Sequence, residues 1–291
     1  MTAPVSPESA ARDACRATGL PDRPLTRLRA HATSVYALPD VGVVVRVNPA
    51  THRRRLETAV SLTRWLAAQG FPTAEPTDVP QPAAAGPYIV TFWKHYPQPA
   101  RGAPPCGHLG RLLRLLHALP SPPVELPAYR PLSAFTATLT SSRCLSTDQR
   151  TWLAERSAQL VAVYEELDFP LGVGHVHGDA YPGNLLWDGA TVRLGDWDET
   201  AAGPREVDLA NTFQGIRFGR TEEQLDAFTA SYGYDIRDWP GLPVLSRMRD
   251  LHTLGAYVRR ADRGDRAAAE ELHHRVATLR EGADQARWNA G

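Results

Sequence analysis

Residues 175–199 read His175-Val-His177-Gly-Asp179-Ala-Tyr-Pro-Gly-Asn184-Leu-Leu-Trp-Asp188-Gly189-Ala-Thr-Val-Arg-Leu-Gly-Asp196-Trp-Asp198-Glu199. Two short apolar runs, Leu185-Leu186-Trp187 and Thr191-Val192-Arg193-Leu194, flank Asp188-Gly189. That dipeptide supplies the positive φ that tight hairpin turns require, so the stretch predicts a β-hairpin. A two-residue turn at Asp188-Gly189 sets Asn184 opposite Arg193, with Asp196 just past the end of the second strand. Asp179 lies on the loop just before. The side chains gathered at the hairpin base are oxygen donors. They suit a hard cation such as Mg²⁺, which takes one or two carboxylates and completes its shell with phosphate and water.

Working outward, 291 residues can bury a sizeable core and fit one two-lobed domain or two small ones. The 32 basic and 32 acidic residues cancel, so no global field points to nucleic acid or a membrane surface. Lys94 is the single lysine, and arginine carries the rest of the positive charge. Cys15, Cys106 and Cys144 are widely spaced and form no CxxC pair, which fits a reduced chain. No basic-then-apolar leader opens the sequence, and no apolar run approaches a membrane span. The expectation is a cytoplasmic protein with a small-molecule substrate, and with no nucleic-acid, membrane or obligate protein partner.

Before the hairpin, residues 1–24 mix Pro, Ser, Ala and charge, with a short helix expected over 7–18. Strands are expected at 35–38 and 41–47, joined at Pro39-Asp40. Thr51 is the expected N-cap of a helix from His52 to Gln69, with Leu56, Val60, Thr63 and Ala67 on one face. Residues 72–87 are Pro-rich and read as a loop; 88–93 read as a buried strand. Residues 94–105 form a linker, giving lobes at 1–95 and 96–291. The second part is mainly helical: 109–119, a helix opened by the capping box Ser146-Thr-Asp-Gln149, then 206–216, 222–232, 244–260 and 266–287.

The spacing His177-Gly-Asp179, then Asn184, then Gly195-Asp196-Trp197-Asp198 resembles the catalytic core of the aminoglycoside phosphotransferase family, relatives of the protein kinases. The run Gly203-Pro204-Arg205-Glu206-Val207-Asp208-Leu209-Ala210 resembles that family's next segment. The resemblance covers roughly 24–280. It implies an α+β, two-lobed protein-kinase-like fold, with a small N-terminal antiparallel-sheet lobe plus one helix and a larger, mainly helical C-terminal lobe holding the catalytic hairpin. It implies a small-molecule kinase that moves the γ-phosphoryl of ATP or GTP, with Mg²⁺, to a hydroxyl of an aminoglycoside or another aminated or hydroxylated metabolite. Asp179 would accept the hydroxyl proton, His177 would orient its loop, Asn184 and Asp196 would hold Mg²⁺, and Asp208 would tie the loop backbone.

Nucleotide binding is carried over to the small lobe. Arg46 stands where the family has its phosphate-binding lysine, and Glu57, on the next helix, is its expected partner. The loop Arg29-Ala-His31-Ala-Thr33-Ser34 lacks glycine, so Thr33 and Ser34 hydroxyls and backbone N–H groups would cover the phosphates. Asp198 and Glu199 are candidates for attracting a cationic acceptor. Only eleven residues separate Asp196 from Asp208, too few for a peptide platform, which favours a small acceptor. Two rival readings are a metal-dependent hydrolase using His175-Val-His177-Gly-Asp179 and a non-catalytic kinase-like binding module.

Overall fold

The computed structural model describes residues 5–21, 23–30, 33–100 and 102–289. They fall into two compact units: residues 1–104, 118–127 and 182–200 in one, and 105–117, 128–181 and 201–291 in the other.

The first unit is built on a five-stranded antiparallel sheet, in the order β1-β2-β3-β5-β4. Its strands are β1 (Thr26–Ala30), β2 (Ser34–Leu38), β3 (Val43–Pro49), β4 (Ala83–Ala85) and β5 (Tyr88–Lys94). Alternation decides which side chains of β3 turn inward: Val43, Val45 and Val47 are buried, while Val44 and Arg46 are half-buried on the other face. Helix α1 (Pro7–Ala17) covers the valine face with Ala10, Ala11, Ala14 and Cys15. Ser6 and Ser9 close its N-terminus as a reciprocal capping box, and Pro7 sits in the first turn, where its missing N–H costs nothing.

Helix α2 (Arg53–Ala68) buries Leu56, Ala59, Val60, Leu62, Thr63 and Leu66 at helical spacing. Its N-cap differs from the expectation. A single 3₁₀ turn over Ala50–His52 precedes it, so His52 takes the cap position with no side-chain cap hydrogen bond and Thr51 lies in the turn.

The hairpin groups with this unit. Its strands are Leu185–Asp188 and Thr191–Leu194, and the turn is Gly189-Ala190, one residue later than the sequence suggests. Gly189 takes φ +58° as first turn residue, while Asp188 stays in the ladder, its carboxylate accepting from Arg193 Nε at 2.6 Å. The register is therefore corrected. Leu186 faces Arg193, Leu185 faces Leu194, and the Gly195 N–H donates to the Asn184 carbonyl at 2.9 Å. Asn184 thus lies opposite Gly195, next to Asp196. The supposedly idle Pro-rich segment anchors the hairpin: Leu194 N–H donates to Pro72 O at 2.9 Å, and Ala74 N–H donates to Leu194 O at 2.8 Å.

The second unit is mainly helical. It contains α3 (Cys106–Ala118, whose last residue falls in the first unit), α4 (Ser133–Ser141), α5 (Thr147–Glu165), α6 (Glu206–Phe213), α7 (Glu222–Tyr232), α8 (Leu242–Ala261) and α9 (Arg266–Arg280). The Ser146–Gln149 capping box opens α5 as its sequence predicts. Helix α4 has no counterpart among the expected helices, and α9 stops seven residues short of the expected end. A two-stranded pair, Val173–Val176 with Ala201–Pro204, runs into the loop that carries Asp179. Among the described residues no helix is long and apolar enough to cross a membrane. The architecture is the two-lobed kinase-like one: an N-terminal antiparallel sheet with one principal helix, and a larger helical C-terminal part with a β-hairpin.

Candidate active site

In the first unit, charge converges on the end of the hairpin. Asp196 holds φ +63° and ψ +60°, a left-handed conformation that a non-glycine residue adopts at a cost of about 1–3 kcal/mol and that clusters at functional sites. It initiates the short 3₁₀ turn Trp197–Glu199, anchored by Trp197, which is 1 % exposed and packs edge-on to Phe71. The Arg46 guanidinium donates from Nη2 to Asp196 Oδ1 at 2.8 Å and to Asp198 Oδ2 at 3.0 Å. Burial alone would lower the Arg46 pKa, but the Asp196 and Asp198 carboxylates more than offset it and raise it, so the side chain stays charged.

Helix α2 brings a second arginine. Arg55 donates to Glu199 at 2.8 Å and lies 3.5 Å from Asp198. Sequence reasoning missed Arg55, because helical spacing says which residues share a face but not which loop that face meets. The expected Arg46–Glu57 pair is not what forms: Glu57 lies on the exposed side of α2, 3.5 Å from Arg53. Thr33 Oγ1 donates to the side-chain amide oxygen of buried Asn48 at 3.0 Å, and Ser34 is in β2; residues 31 and 32 of that loop, including His31, lie outside the described residues. Asp198 and Glu199, the candidates for attracting a cationic acceptor, accept hydrogen bonds from Arg46 and Arg55 respectively.

Asn184 is buried at the start of the hairpin, its carbonyl accepting the N–H of Gly195, the residue before Asp196. An amide oxygen and a carboxylate form a hard donor pair, the kind that takes Mg²⁺ with phosphate and water completing the shell. Asp198 Oδ1 is buried with no hydrogen-bond partner, so the cluster retains acceptor capacity for a cation or its water. The residues fit the ion. The hydrolase reading fares differently: among the described residues no group of three or more His, Cys, Asp and Glu could hold a metal ion, so His175 and His177 have no cluster to join.

In the second unit, Asp208 organises the loop that bears Asp179. It is fully buried and accepts from the backbone N–H groups of His177 and Gly178, both at 2.8 Å, with His117 Nε2 at 3.1 Å. Burial alone would raise its pKa, but the His117 hydrogen bond and charge, with His177, more than offset this and hold it below the usual aspartate value. Asn211 donates to the Gly178 carbonyl at 3.2 Å, closing the clamp. Gly178 holds φ +81°, which glycine takes at no steric cost. His177 is buried, and its Nδ1 accepts the Asp179 N–H at 3.3 Å, so the imidazole braces the loop. His175 is also buried; desolvation lowers its pKa and keeps it neutral. Asp179 itself is partly exposed and accepts from Arg249 of α8, a contact absent from the sequence reading.

Residues 25–245 match the model of the phosphotransferase enzyme family. No curated protein matches in sequence. Among solved structures, the amicoumacin kinase hAmiN, in complex with AMP-PNP, Ca²⁺ and Ami, is similar at 14 % identity and a TM-score of 0.70, over 91 % of this chain and 90 % of that one. A choline/ethanolamine kinase family protein from Mesorhizobium loti aligns at 18 % identity and a TM-score of 0.62, over 91 % and 90 %. The aminoglycoside phosphotransferase APH(3'')-Id from Streptomyces rimosus aligns at 19 % identity and 0.60, over 81 % and 96 %. At these identities the structural likeness speaks to fold, while the family match spans most of the sequence: the chain belongs to the phosphotransferase enzyme family.

Proposed function

We propose that this phosphotransferase moves the γ-phosphoryl group of ATP or GTP, with Mg²⁺, to a hydroxyl of a small molecule. The observation that carries the reading is Arg46, on a sheet strand, meeting Asp196 at the hairpin end, 150 residues later. That convergence supplies the cation and the carboxylate that nucleotide phosphates and their metal need.

Asn184 and Asp196 would hold the Mg²⁺, which neutralises charge on the nucleotide phosphates when bound. Arg46 would contribute a further positive charge toward the phosphates while Asp198 keeps it in place. Asp179 accepts a hydrogen bond from the acceptor hydroxyl and orients its oxygen. As that oxygen forms its bond to the γ-phosphorus, the bond from phosphorus to the bridging oxygen breaks, and its electron pair leaves on the nucleoside diphosphate. The hydroxyl proton passes late to the Asp179 carboxylate, because a loose transition state needs positioning more than a strong base. The Asp208 clamp supports this role by fixing the loop before substrate arrives.

The similar structures are named for amicoumacin, choline or ethanolamine, and an aminoglycoside, so small aminated or hydroxylated compounds form the starting range of acceptors. The ties of Asp198 and Glu199 to arginines give no support to their serving as the acceptor's contacts. The test is nucleotide binding by calorimetry with and without Mg²⁺. Wild type should bind Mg-nucleotide, and Asp196→Ala should lose the Mg²⁺ dependence while unfolding at a similar temperature. Equal Mg²⁺ dependence in both proteins would refute the assignment.

A further inference from the structure

Strand β3 carries a second polar side chain on the face of Arg46. Asn48 lies two residues further on, so alternation turns it the same way as Arg46 and away from the valines that pack with α1. It is 1 % exposed. Across the ladder, Val35 of β2 stands opposite Arg46 and Ser34 opposite Val47, so Thr33 comes level with Asn48. The Thr33 hydroxyl donates to the Asn48 amide oxygen at 3.0 Å. The amide nitrogen, Nδ2, is buried and has no hydrogen-bond partner among the described residues.

A buried donor without an acceptor lowers stability, and few native side chains hold one. Other polar side chains of this sheet are satisfied. Thr91, opposite Arg46 on β5 and fully buried, accepts the Trp93 indole N–H at 2.9 Å. Gln81 uses its whole amide: Nε2 donates to the Thr77 and Phe92 carbonyls at 2.8 and 3.0 Å, and Oε1 accepts the Phe92 N–H at 2.7 Å. Leucine at position 48 would have nearly the same shape and no donor to satisfy. An asparagine there points to an acceptor that arrives with a ligand.

We propose that the Asn48 amide nitrogen donates to a phosphate oxygen of the nucleotide, with Thr33 as the residue that aims it. Arg46 supplies charge, and Asn48 supplies a directional N–H one pleat along, about 7 Å away between Cα atoms. The Thr33 hydroxyl, expected to cover the phosphates itself, directs its proton to Asn48 instead, and the open donor is passed on to Nδ2. A neutral amide adds no charge where Arg46 is already matched by Asp196 and Asp198. Because Nδ2 is shut from water, binding includes a side-chain movement that opens it, and no solvent hydrogen bond is given up when the phosphate arrives. A charge-assisted bond in such surroundings is among the stronger ones. This assignment rests on the phosphotransferase reading and adds a residue to its donor site.

The experiment is calorimetric titration of the full chain with Mg-ATP and Mg-GTP, and with adenosine and guanosine by competition, on wild type, Asn48→Leu, Asn48→Asp and Thr33→Val. Asn48→Leu should unfold at the wild-type temperature or above, because an apolar isostere removes the unmatched donor. Its Kd for Mg-nucleotide should nevertheless rise about tenfold, the size of one hydrogen bond to a charged group, with nucleoside affinity within about twofold of wild type. Asn48→Asp should lose more, since a carboxylate there meets phosphate with like charge. Thr33→Val should weaken Mg-nucleotide binding by about threefold and add nothing further to Asn48→Leu, because both act through one amide. An unchanged Mg-nucleotide Kd in Asn48→Leu overturns the proposal. So does an equal loss for nucleotide and nucleoside, which would make the effect one of sheet geometry, or tighter Mg²⁺-dependent binding in Asn48→Asp, which would assign the amide to the metal. Should Asn48→Leu fail to fold, the Kd of Thr33→Val decides, and no change there overturns it. Each of these outcomes is read against a wild type that binds Mg-nucleotide; a wild type that binds none overturns the phosphotransferase reading beneath.

Discussion

Arg46 and Asp196 are hydrogen-bonded at 2.8 Å, and Asp198 receives the same Arg46 nitrogen at 3.0 Å. Asp198 also faces Arg55 of α2, so one buried carboxylate links a sheet strand, a helix and the end of the hairpin. In the family resemblance a helix glutamate holds the strand cation. Here the helix offers an arginine instead, and the glutamate at 57 turns to solvent.

From that arrangement, Asp198→Asn should destabilise the protein by about 3 kcal/mol, since it leaves a buried guanidinium with half its compensation. Chemical denaturation measures the loss. A double-mutant cycle with Arg46→Ala should return a coupling of roughly 1–3 kcal/mol, and additivity of the two substitutions would show that they do not interact.

Asp208 carries a pH dependence. Its folded pKa lies below the ordinary 3.8, so the unfolded chain binds its proton first as pH falls. The stabilisation is fully present above the unfolded value and is lost as pH drops through the folded one. In Asp208→Asn the unfolding free energy should be lower at neutral pH, and the gap from wild type should close on acidification below pH 4. A gap of constant size down to pH 2 would assign the acid sensitivity to other carboxylates.

A glycine predicts where two helices cannot separate. A Cβ at Gly110 of α3 would stand 2.2 Å from the Phe228 carbonyl oxygen of α7. The obstacle is backbone and cannot rotate away. Gly110→Ala should cost about 3 kcal/mol or more by overpacking, read as a drop in thermal unfolding temperature. The same substitution at Gly264, with open space around it but φ +90°, should cost only backbone strain of about 1 kcal/mol.

Much of this was legible in the sequence. A capping box located α5, a 3.6-residue stripe located α2, and the valine-rich run at 41–47 located β3. The motif spacing singled out Asp179, Asn184 and Asp196, the residues to which the proposal gives its chemistry. The hairpin turn was misplaced by one residue because Asp188-Gly189 and Gly189-Ala190 both offer a glycine; the Asp188–Arg193 pair, a contact across strands, favours the second. Helix α4 was hidden by its serines and threonines and by the left-handed Leu132 at its start. The pair Val173–Val176 with Ala201–Pro204 was hidden by glycines, whose missing side chains leave room for Arg205 and Tyr129. Arg55 and Arg249 carry no local signal that separates them from the chain's many other arginines. Only the packing of α2 and α8 selects them.

The most direct test of the account is phosphoryl transfer by Asp179→Asn. With a stimulating acceptor and Mg-nucleotide, kcat should fall by about 10²–10⁴ while nucleotide affinity stays within about threefold of wild type, as expected when the group that orients and deprotonates the hydroxyl is removed. A variant that keeps near-wild-type kcat would contradict it.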